Sequence, residues 1–540
     1  MRKMKLWKRC MAVLMAAALV TGCSSGGGST STTTAGGGDA TTAAAGDTTT
    51  AAQKEEKGEE VTIKVMVWDR GNAAPGTTSE NNTLTDWIKQ QVKEKYNINV
   101  EYVSVPRSSS DDKINIMMSG GSAPDIIFTY DQSIFNNFAQ NGGLADLSEA
   151  YEKYGADIEK NLGEAQNMGQ MDGKRYAVMK MRGVEAPRHT AYIRQDWLDA
   201  LGMEMPKTKE ELFAYLEAVK EKNPGGVDKV IPWAMSGRND TEKGYLNFLG
   251  SYVNLESDKD AYVYNEAYMA VAPGAVDGIK KLNELYNAGL ISKDFATDTT
   301  EDIYKAQVTA GNVGFVLDDT VRPFDYIKVL NPTIGHSTFT PVQCFELEDG
   351  TYRTPFEPRY GMFIMVPKAS EKKVDACMKY LNWQADPEVA ENIAYTPEHE
   401  RDENGVPVLP TEEDRFAKGY PGTPDDLNIV TLGFDYTTKR DAVVGQWTKE
   451  NNWETEEWFG KVYDVRSEGK FRFPTYPNIS QAEADYGQNI KNLMIEYVYK
   501  LVSCPTENFD AMQQTEYNNL VNAGLQKILD ARAEYYDSVN

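Results

Sequence analysis

Strand-like and helix-like hydrophobic patterns alternate after residue 60, and this alternation limits the fold more than any other feature. The segment Val61–Trp68 alternates apolar and polar side chains as a strand does, and apolar side chains then recur at helical spacing over Leu84–Val92. A second strand, a second helix and a buried strand follow at Asn97–Tyr102, about Asp111–Met118 and Asp125–Tyr130. This order predicts a mainly parallel sheet with helices on its faces.

A second region of the same kind begins near Ala191. Its clearest helix opens with a capping box at Thr208 and Glu211 and ends at Asn223–Gly226. The other elements predicted there are strands at Gly314–Asp319 and Tyr360–Val366, a helix at about Ala275–Ala288, and helix almost throughout from about Ala482. We therefore predict an α/β chain with two α/β bodies and a helical C-terminal region.

The N-terminus has the parts of a secretion signal. Residues 2–9 carry five basic side chains, the apolar run Cys10–Val20 is 11 residues long, and Leu19–Cys23 resembles a bacterial lipobox. The apolar run is too short to cross a bilayer, which takes about 20 residues. We predict that residues 1–22 are a lipoprotein signal peptide and that the Cys23 thiol carries the lipid. A chance cysteine after an ordinary secretory signal is the alternative.

Two acyl chains on Cys23 would hold the protein at the outer face of the cell membrane, because two chains anchor stably where one is marginal. The residues that follow, to about Glu60, are rich in Gly, Ser, Thr and Ala and end in a charged run. Such a segment buries too little apolar surface to fold. Residues 23–60 are therefore predicted to be a lipidated, flexible tether.

The charge balance and the scarcity of histidine exclude several classes of function. The 540 residues include 56 Lys and Arg against 81 Asp and Glu, a formal net charge of -25, which repels phosphate backbones and excludes nucleic acid as a partner. The three histidines, His189, His336 and His399, argue against a His-rich metal site and a Ser/His/Asp triad. Phosphate-loop, zinc-protease and dinucleotide motifs are absent. We predict no catalytic residue, no metal and no cofactor.

Several segments, in collinear order over about residues 60–540, resemble one protein family. They are Ser119–Phe128, Tyr192–Gly202, Pro206–Leu212, Leu285–Ile291, Gly311–Gly314, Met365–Lys368, Tyr380–Trp383 and Ala533–Tyr536. These segments are similar to bacterial extracellular solute-binding proteins of family 1, most of all to the large Gram-positive lipoproteins that serve carbohydrate ABC transporters. The resemblance implies a type II periplasmic-binding-protein fold, in which two α/β lobes joined by a hinge close on a ligand, and it implies a monomer.

The same resemblance implies where the lobes begin and end. By analogy, residues 61–187 plus 334–386 form the N-terminal lobe, and residues 188–333 plus 387–540 form the C-terminal lobe. Some relatives bind calcium in the loop after the capping-box helix. Here the loop Asn223–Asp228 holds one carboxylate, whereas calcium takes six or more oxygens, so calcium is not expected.

Ligands of open α/β sheets bind beyond the carboxyl ends of the strands. The candidate ligand-binding residues at such ends are Trp68, Asp69, Tyr130, Asp131, Trp233, Arg238, Asp318 and Asp319. Aromatic faces stack on the CH face of a sugar, while carboxylates and arginine bind its hydroxyls. Each candidate also has a structural alternative, as a tryptophan in a core or a carboxylate that caps a helix. Trp447, Trp453 and Trp458 are predicted to pack in a core rather than stack on a ligand.

Three functions remain open from the sequence. The favoured one is capture of a carbohydrate, most simply an oligosaccharide, and its delivery to the permease subunits of an ABC transporter, with no bond broken. A second is an extracellular glycoside hydrolase, which needs two carboxylates across a glycosidic bond. The third is a receptor of the same fold that senses a peptide or another ligand.

Overall fold

The computed structural model describes residues 58–181, 187–237, 245–319, 322–336, 338–358, 360–402, 405–433, 440–477 and 479–540. Residues 57–540 form one compact unit. The predicted signal peptide, Cys23, most of the predicted tether and Arg238 lie outside the described residues. Within those residues, no helix combines the length and the apolar character needed to cross a bilayer.

The first sheet is built around the strand Val61–Asp69. On one side it pairs in parallel with Ile98–Pro106. On the other side it exchanges backbone hydrogen bonds with Ile126, directly before the strand Ile127–Thr129. The strand Tyr360–Met365 then runs antiparallel between Ile127–Thr129 and Ala177–Met181. The parallel part, predicted from the strand–helix alternation, is therefore continued by an antiparallel part.

Helices cover both faces of this sheet and enclose the first core. Each helix packs its apolar side against the sheet and exposes its polar side. They are Thr83–Tyr96, Ser110–Ser119, Gln132–Gln140, Ser148–Tyr154, Ala156–Leu162, Val374–Gln384, Pro387–Tyr395 and Glu412–Ala417. Two small hairpins, Gln170–Met171 with Lys174–Arg175 and Glu400–Arg401 with Pro407–Val408, lie at the edges. In the helix Thr83–Tyr96, Asn82 caps the first turn by accepting from two backbone N–H groups.

The second sheet has four strands in the order Phe339–Val342, His189–Arg194, Val313–Asp319, Ile231–Ala234. Only the last two are parallel, while His189–Arg194 runs antiparallel to both of its neighbours. Alternate residues of the strand His189–Arg194 point to opposite faces, so Ala191 and Ile193 enter one apolar cluster and Tyr192 enters another. Both clusters together are called the second core here.

Helices also cover both faces of the second sheet. They are Gln195–Leu201, Lys209–Lys222, Tyr245–Gly250, Asp258–Val263, Ala275–Asn287, Asp302–Thr309, Arg322–Ile334, Arg440–Glu450, Glu456–Ser467, Gln481–Ser503, Phe509–Ala523 and Leu525–Val539. The predicted capping box is present at Thr208 and Glu211. Trp458 is buried in the second core and Trp447 and Trp453 pack against it, as predicted for these three residues.

The chain passes between the two cores at places that differ from two of the expected boundaries. The strand Phe339–Val342 still belongs to the second sheet, beyond the boundary placed at residue 334. Residues Ile393, Tyr420 and Val430 lie in the first core, although sequence analysis assigns 387–540 to the C-terminal lobe. The reason is that these boundaries come by analogy with the family, and the analogy does not state which sheet or core each element of this chain joins.

One helix, Gln481–Ser503, contacts both cores and is called the bridging helix. Its residues Ile490, Met494 and Val498 lie in the second core. A Cβ on Gly487 would lie 3.6 Å from Cβ of Ser133, which belongs to the helix Gln132–Gln140 of the first core. This distance is an ordinary van der Waals contact, so the two helices pack against each other at residue 487.

The C-terminal end of the bridging helix depends on Asn283. This fully buried side chain donates from Nδ2 to the carbonyl oxygens of Leu501, Val502 and Cys504, at 2.8, 3.1 and 2.7 Å. The last carbonyls of a helix have no partner within the helix. Asn283 therefore satisfies the Leu501 and Val502 carbonyls and shares the Cys504 carbonyl with Asn287.

We predict that Asn283→Ala lowers the free energy of unfolding by about 1–3 kcal/mol, the cost of leaving buried polar groups unpaired. Urea denaturation followed by circular dichroism measures it. Asn287→Ala is the matched control, because Asn287 donates to the Cys504 carbonyl that Asn283 also serves. A control variant that loses as much stability as Asn283→Ala would contradict this role.

Candidate functional site

At the strand Val61–Asp69, the order in which the chain adds strands to the first sheet reverses. The strands on its two sides, Ile98–Pro106 and Ile127–Thr129, are both parallel to it, so the chain winds first to one side and then to the other. At such a switch point a crevice opens beyond the carboxyl ends of the strands. Trp68 and Tyr130 lie at these ends, which is why the sequence rule finds them.

A cavity of about 660 Å³ opens at this crevice, within the usual range of ligand pockets. Its walls come from the first core, from the second core and from two connecting segments. Its aromatic lining residues are Trp68, Tyr130, Tyr262, Tyr268, Phe356, Tyr360, Phe363, Phe473 and Tyr476, and its charged ones are Arg107, Asp111, Asp131, Arg188, Glu266, Glu357, Arg472, Glu483, Lys491 and Arg532. The cavity is thus bounded by flat apolar faces and by many hydrogen-bonding groups.

Trp68 is the centre of the aromatic wall. Its ring stacks on Tyr130 with centroids 5.7 Å apart and meets Phe128 edge-on at 5.1 Å. The guanidinium of Arg107 lies 4.3 Å from the Trp68 ring centre. The buried Nε1 of Trp68 has no hydrogen-bond partner among the described residues. The ring is therefore held in place by packing and keeps an unused donor.

Asp131 holds the start of the helix Gln132–Gln140. Its carboxylate accepts from the backbone N–H groups of Ser133 and Ile134, at 2.7 and 3.4 Å, and from the Ser133 hydroxyl. A carboxylate at this position satisfies free N–H groups and meets the positive end of the helix dipole. Asp131 is thus both a helix cap and a wall of the cavity.

Lys491 of the bridging helix reaches Asp131 across the back of the cavity, with Nζ 3.4 Å from Oδ2. Burial raises the pKa of Asp131, but Lys491 and the hydrogen bonds from Ser133 outweigh it and leave that pKa below its ordinary value. Burial lowers the pKa of Lys491, and the carboxylates of Asp131, Glu266 and Glu483 reverse this and raise it. Both groups are therefore charged at neutral pH and form a buried pair.

A second buried pair joins the bridging helix to the C-terminal helix. Nη1 of Arg532 lies 2.5 Å from Oε1 of Glu483. The same guanidinium donates to the carbonyl of Val263 at 3.1 Å and to Oδ1 of Asn265 at 2.8 Å. Its carbon Cζ lies 4.4 Å from the ring centre of Tyr262. Arg532 therefore fixes one cavity wall from behind.

Asp111 differs from Asp131 in the direction in which its pKa is shifted. Burial raises the pKa of Asp111, and the nearby negative charge of Asp131 adds to this, while the hydrogen bond from the Thr129 hydroxyl, 2.7 Å long, opposes it. The pKa of Asp111 lies above its ordinary value and that of Asp131 below. The cavity thus contains two carboxyl groups with opposite shifts.

Trp233 and Asp69 were expected in the cleft, and the structure does not place them on the cavity. Trp233 is 1% exposed and packs in the second core between Phe315 and Phe248, with ring centres 5.1 and 5.8 Å away. This corrects its assignment: its strand is flanked by helices that cover it. Asp69 is exposed and accepts from the backbone N–H of Gly71 at 2.8 Å, so it shapes the turn after the strand.

Asp318 and Asp319 end a strand of the second sheet and also lie off the cavity. Asp318 is buried, and its Oδ2 accepts from the hydroxyls of Tyr304 and Tyr326 at 2.7 and 3.1 Å. Arg322 lies 3.5 Å from its Oδ1. The carboxylate is thus committed to holding two helices against the sheet. The expectation for Arg238 falls on a residue outside the described ones.

Of the eight candidates, Trp68, Tyr130 and Asp131 line the cavity, and most other lining residues were not foreseen. Lys491 had a visible signal, because it is a charged residue on the apolar side of a helix, next to Ile490 and Met494. The segments 355–358 and 472–477 gave none, since they have no periodic pattern.

Metal binding has no visible support in the described part of the chain. No group of three or more His, Cys, Asp or Glu side chains there is arranged to hold an ion. In the loop Asn223–Asp228, Asn223 Oδ1 accepts from the N–H of Val227 at 3.2 Å, and its Nδ2 donates to the Val227 carbonyl at 2.7 Å. The expectation that this loop binds no calcium stays a prediction.

The chain is similar to known proteins over most of its length. Lipoprotein LipO of Bacillus subtilis (strain 168) is 25% identical over 403 residues, 72% of this chain and 72% of that relative. A carbohydrate ABC transporter substrate-binding protein of Streptococcus pneumoniae serotype 4 is 27% identical over 356 residues, 63% of this chain and 62% of that relative.

The crystal structure of alginate-binding protein AlgQ2 without calcium ion superposes with a TM-score of 0.65 at 18% identity, over 89% of this chain and 99% of that one. The predicted type II periplasmic-binding-protein fold, with two α/β bodies and no closed barrel, is confirmed by this likeness. The family model described as bacterial extracellular solute-binding protein matches residues 74–391, more than half of the sequence. The chain belongs to the bacterial extracellular solute-binding protein family.

Proposed function

We propose that this protein captures a carbohydrate, most simply an oligosaccharide, in the cavity between its two cores and delivers it to an ABC transporter. The observation that carries the proposal is the cavity itself: it lies at the switch point of the first sheet and combines an aromatic wall with fixed polar groups. A sugar ring buries its CH face on tryptophan or tyrosine and uses its hydroxyls on carboxylates and guanidinium groups. The similarity to a carbohydrate-binding relative supports the same ligand class.

The two cores act as the two lobes in this proposal. Residues 61–181 and 360–430 contribute to the first core, and residues 191–345 and 444–529 contribute to the second. The cavity takes residues from both, so a change in the angle between the cores opens or closes it. Closure then buries the ligand without any chemical step.

Attachment to the membrane and the transport partners complete the proposal. Cys23 carries the lipid anchor, and the residues that follow it tether the lobes outside the cell, in keeping with the similarity to a lipoprotein. The protein acts as a monomer, without cofactor or metal, and passes its ligand to permease subunits. No nucleic acid takes part.

Glycoside hydrolysis is the second candidate, because Asp111 and Asp131 have opposite pKa shifts in one cavity, a pattern that separates acid from base in hydrolases. The hydrogen bonds of Asp131 favour binding instead. Its oxygens are occupied by Ser133, Ile134 and Lys491, so it lacks the open approach that a nucleophile or base needs. A peptide receptor has no comparable observation in its favour.

We predict that the purified chain binds at least one oligosaccharide in a titration calorimetry panel and releases no reducing ends from it. Trp68→Phe should weaken that affinity about 2- to 10-fold, since it removes part of an aromatic contact. Trp233→Phe is the matched control and should leave affinity unchanged, because Trp233 lies in the second core. A folded protein that binds no saccharide would overturn the proposal, and release of reducing ends would replace it with hydrolysis.

Opposite changes of stability are expected for Asp111→Asn and Asp131→Asn at pH 7. The pKa of Asp111 is raised in the folded state, so its ionised carboxylate destabilises the fold at pH values above that pKa. Asp111→Asn should therefore raise the denaturation midpoint at pH 7. This gain in stability should vanish below the pKa of the unfolded state, about 3.9. Asp131 has a lowered pKa, so Asp131→Asn should cost about 3 kcal/mol at pH 7, with the loss shrinking as pH falls below about 3.9. Asparagine caps a helix as well as aspartate does, so this variant isolates the charge facing Lys491.

We expect Cys23→Ala to move the protein from the membrane fraction to the medium when it is expressed in a Gram-positive host. Immunoblots of both fractions measure the shift. Cys10→Ala is the control, because Cys10 lies at the start of the apolar run and should leave anchoring intact. Unchanged membrane attachment of Cys23→Ala would refute the lipid anchor and leave the ligand proposal untouched.

A further inference from the structure

Arg466 is a buried charged group that has nothing to do with the cavity. It belongs to the helix Glu456–Ser467 and is 3% exposed. Its Nε, Nη1 and Nη2 atoms are all buried, and none of them has a hydrogen-bond partner in the part of the chain that the structure describes. Burial lowers the pKa of Arg466 to about 10, so the side chain is still a cation at neutral pH.

The surroundings of Arg466 offer only partial compensation. Its guanidinium carbon lies 4.3 Å from the ring centre of Trp447 and 5.9 Å from that of Tyr463. Cation–π contacts of this kind offset only part of the cost of desolvating an unpaired buried ion. Among the described residues, no carboxylate forms an ion pair with it. The positive charge therefore lacks a counter-charge among the side chains that the structure describes.

A second unused donor lies within electrostatic reach of Arg466. Tyr192, on the strand His189–Arg194, is fully buried, and the charge of Arg466 acts on its hydroxyl. That hydroxyl has no hydrogen-bond partner in the described structure. The Tyr192 ring is fixed by stacking on Trp458, with centroids 6.3 Å apart. The guanidinium N–H groups and the phenol O–H are thus several buried donors for which no hydrogen-bond partner is found among the described residues.

We propose that a small inorganic anion of the halide class, with chloride as the natural candidate, binds beside Arg466 and accepts from the Tyr192 hydroxyl. One monovalent anion neutralises the single charge, whereas a water molecule would leave it uncompensated. A phosphate or a carboxylate would bring additional oxygens that need donors, and the nearby rings of Trp447 and Tyr463 have little to offer them. The bound anion connects the helix Glu456–Ser467 with the second sheet.

The test compares unfolding of the full chain in sodium chloride, sodium bromide and sodium gluconate at one constant ionic strength. An anion that binds only the folded state raises the melting temperature with its concentration. We expect chloride and bromide to raise it saturably, by at least about 2 °C, relative to gluconate. Equal melting temperatures in all three salts would overturn the proposal.

Variants locate the effect. Arg466→Met should abolish the halide response and Tyr192→Phe should weaken it. Arg440→Met is the matched control: Arg440 lies on the neighbouring helix, is exposed and pairs with Asp464, so the response should persist. A halide response retained by Arg466→Met contradicts the site. If that variant does not fold, the unsubstituted protein is crystallised in bromide and its anomalous diffraction is measured. An anomalous peak beside Arg466 supports the proposal, and the absence of a peak there refutes it.

Discussion

The buried ion pair between Asp131 and Lys491 is the interaction on which the cavity depends. Asp131 belongs to the first core and Lys491 to the bridging helix, 360 residues further along the chain. Removing either charge would leave the other unpaired in a place where water does not compensate it. The pair therefore fixes how the bridging helix lies against the first core, and with it the back wall of the cavity.

The two sheets differ in what they place at their strand ends, and this explains why the site belongs to one of them. In the first sheet, parallel strands on both sides of Val61–Asp69 create a switch point, and Trp68 faces the resulting crevice. In the second sheet, an antiparallel strand lies in the middle. There Asp318 accepts from the hydroxyls of Tyr304 and Tyr326 and does not line the cavity.

The sequence was sufficient for the elements and for part of the site. Strand and helix periods located the first sheet, the capping-box helix and the C-terminal helices to within a few residues, because these patterns are local. Of the strand-end candidates, Trp68, Tyr130 and Asp131 line the cavity, and their contact with a ligand stays a prediction. Trp233 lies in the second core instead, because the strand-end rule assumes that the second sheet also opens at its strand ends.

What the sequence could not supply depends on contacts between distant residues. The segment 472–479 reaches the cavity because Gln132 donates to the carbonyls of Tyr476 and Pro477, at 3.0 and 3.1 Å. Arg532 meets Glu483 only after two helices have folded back on each other. No periodicity or motif encodes such contacts, and the boundaries between the cores were missed for the same reason.

The paired charges also explain how the proposed capture can work without chemistry. Lys491 and Arg532 already have carboxylate partners before a ligand arrives, so the polar walls need little rearrangement when the lobes close, and this reduces the entropic cost of binding. The guanidinium of Arg107, which lies over Trp68, makes no ion pair with the described residues. Its N–H donors lie beside the aromatic face on the cavity wall. Affinity then comes from burying a sugar face on a surface that is fixed in advance.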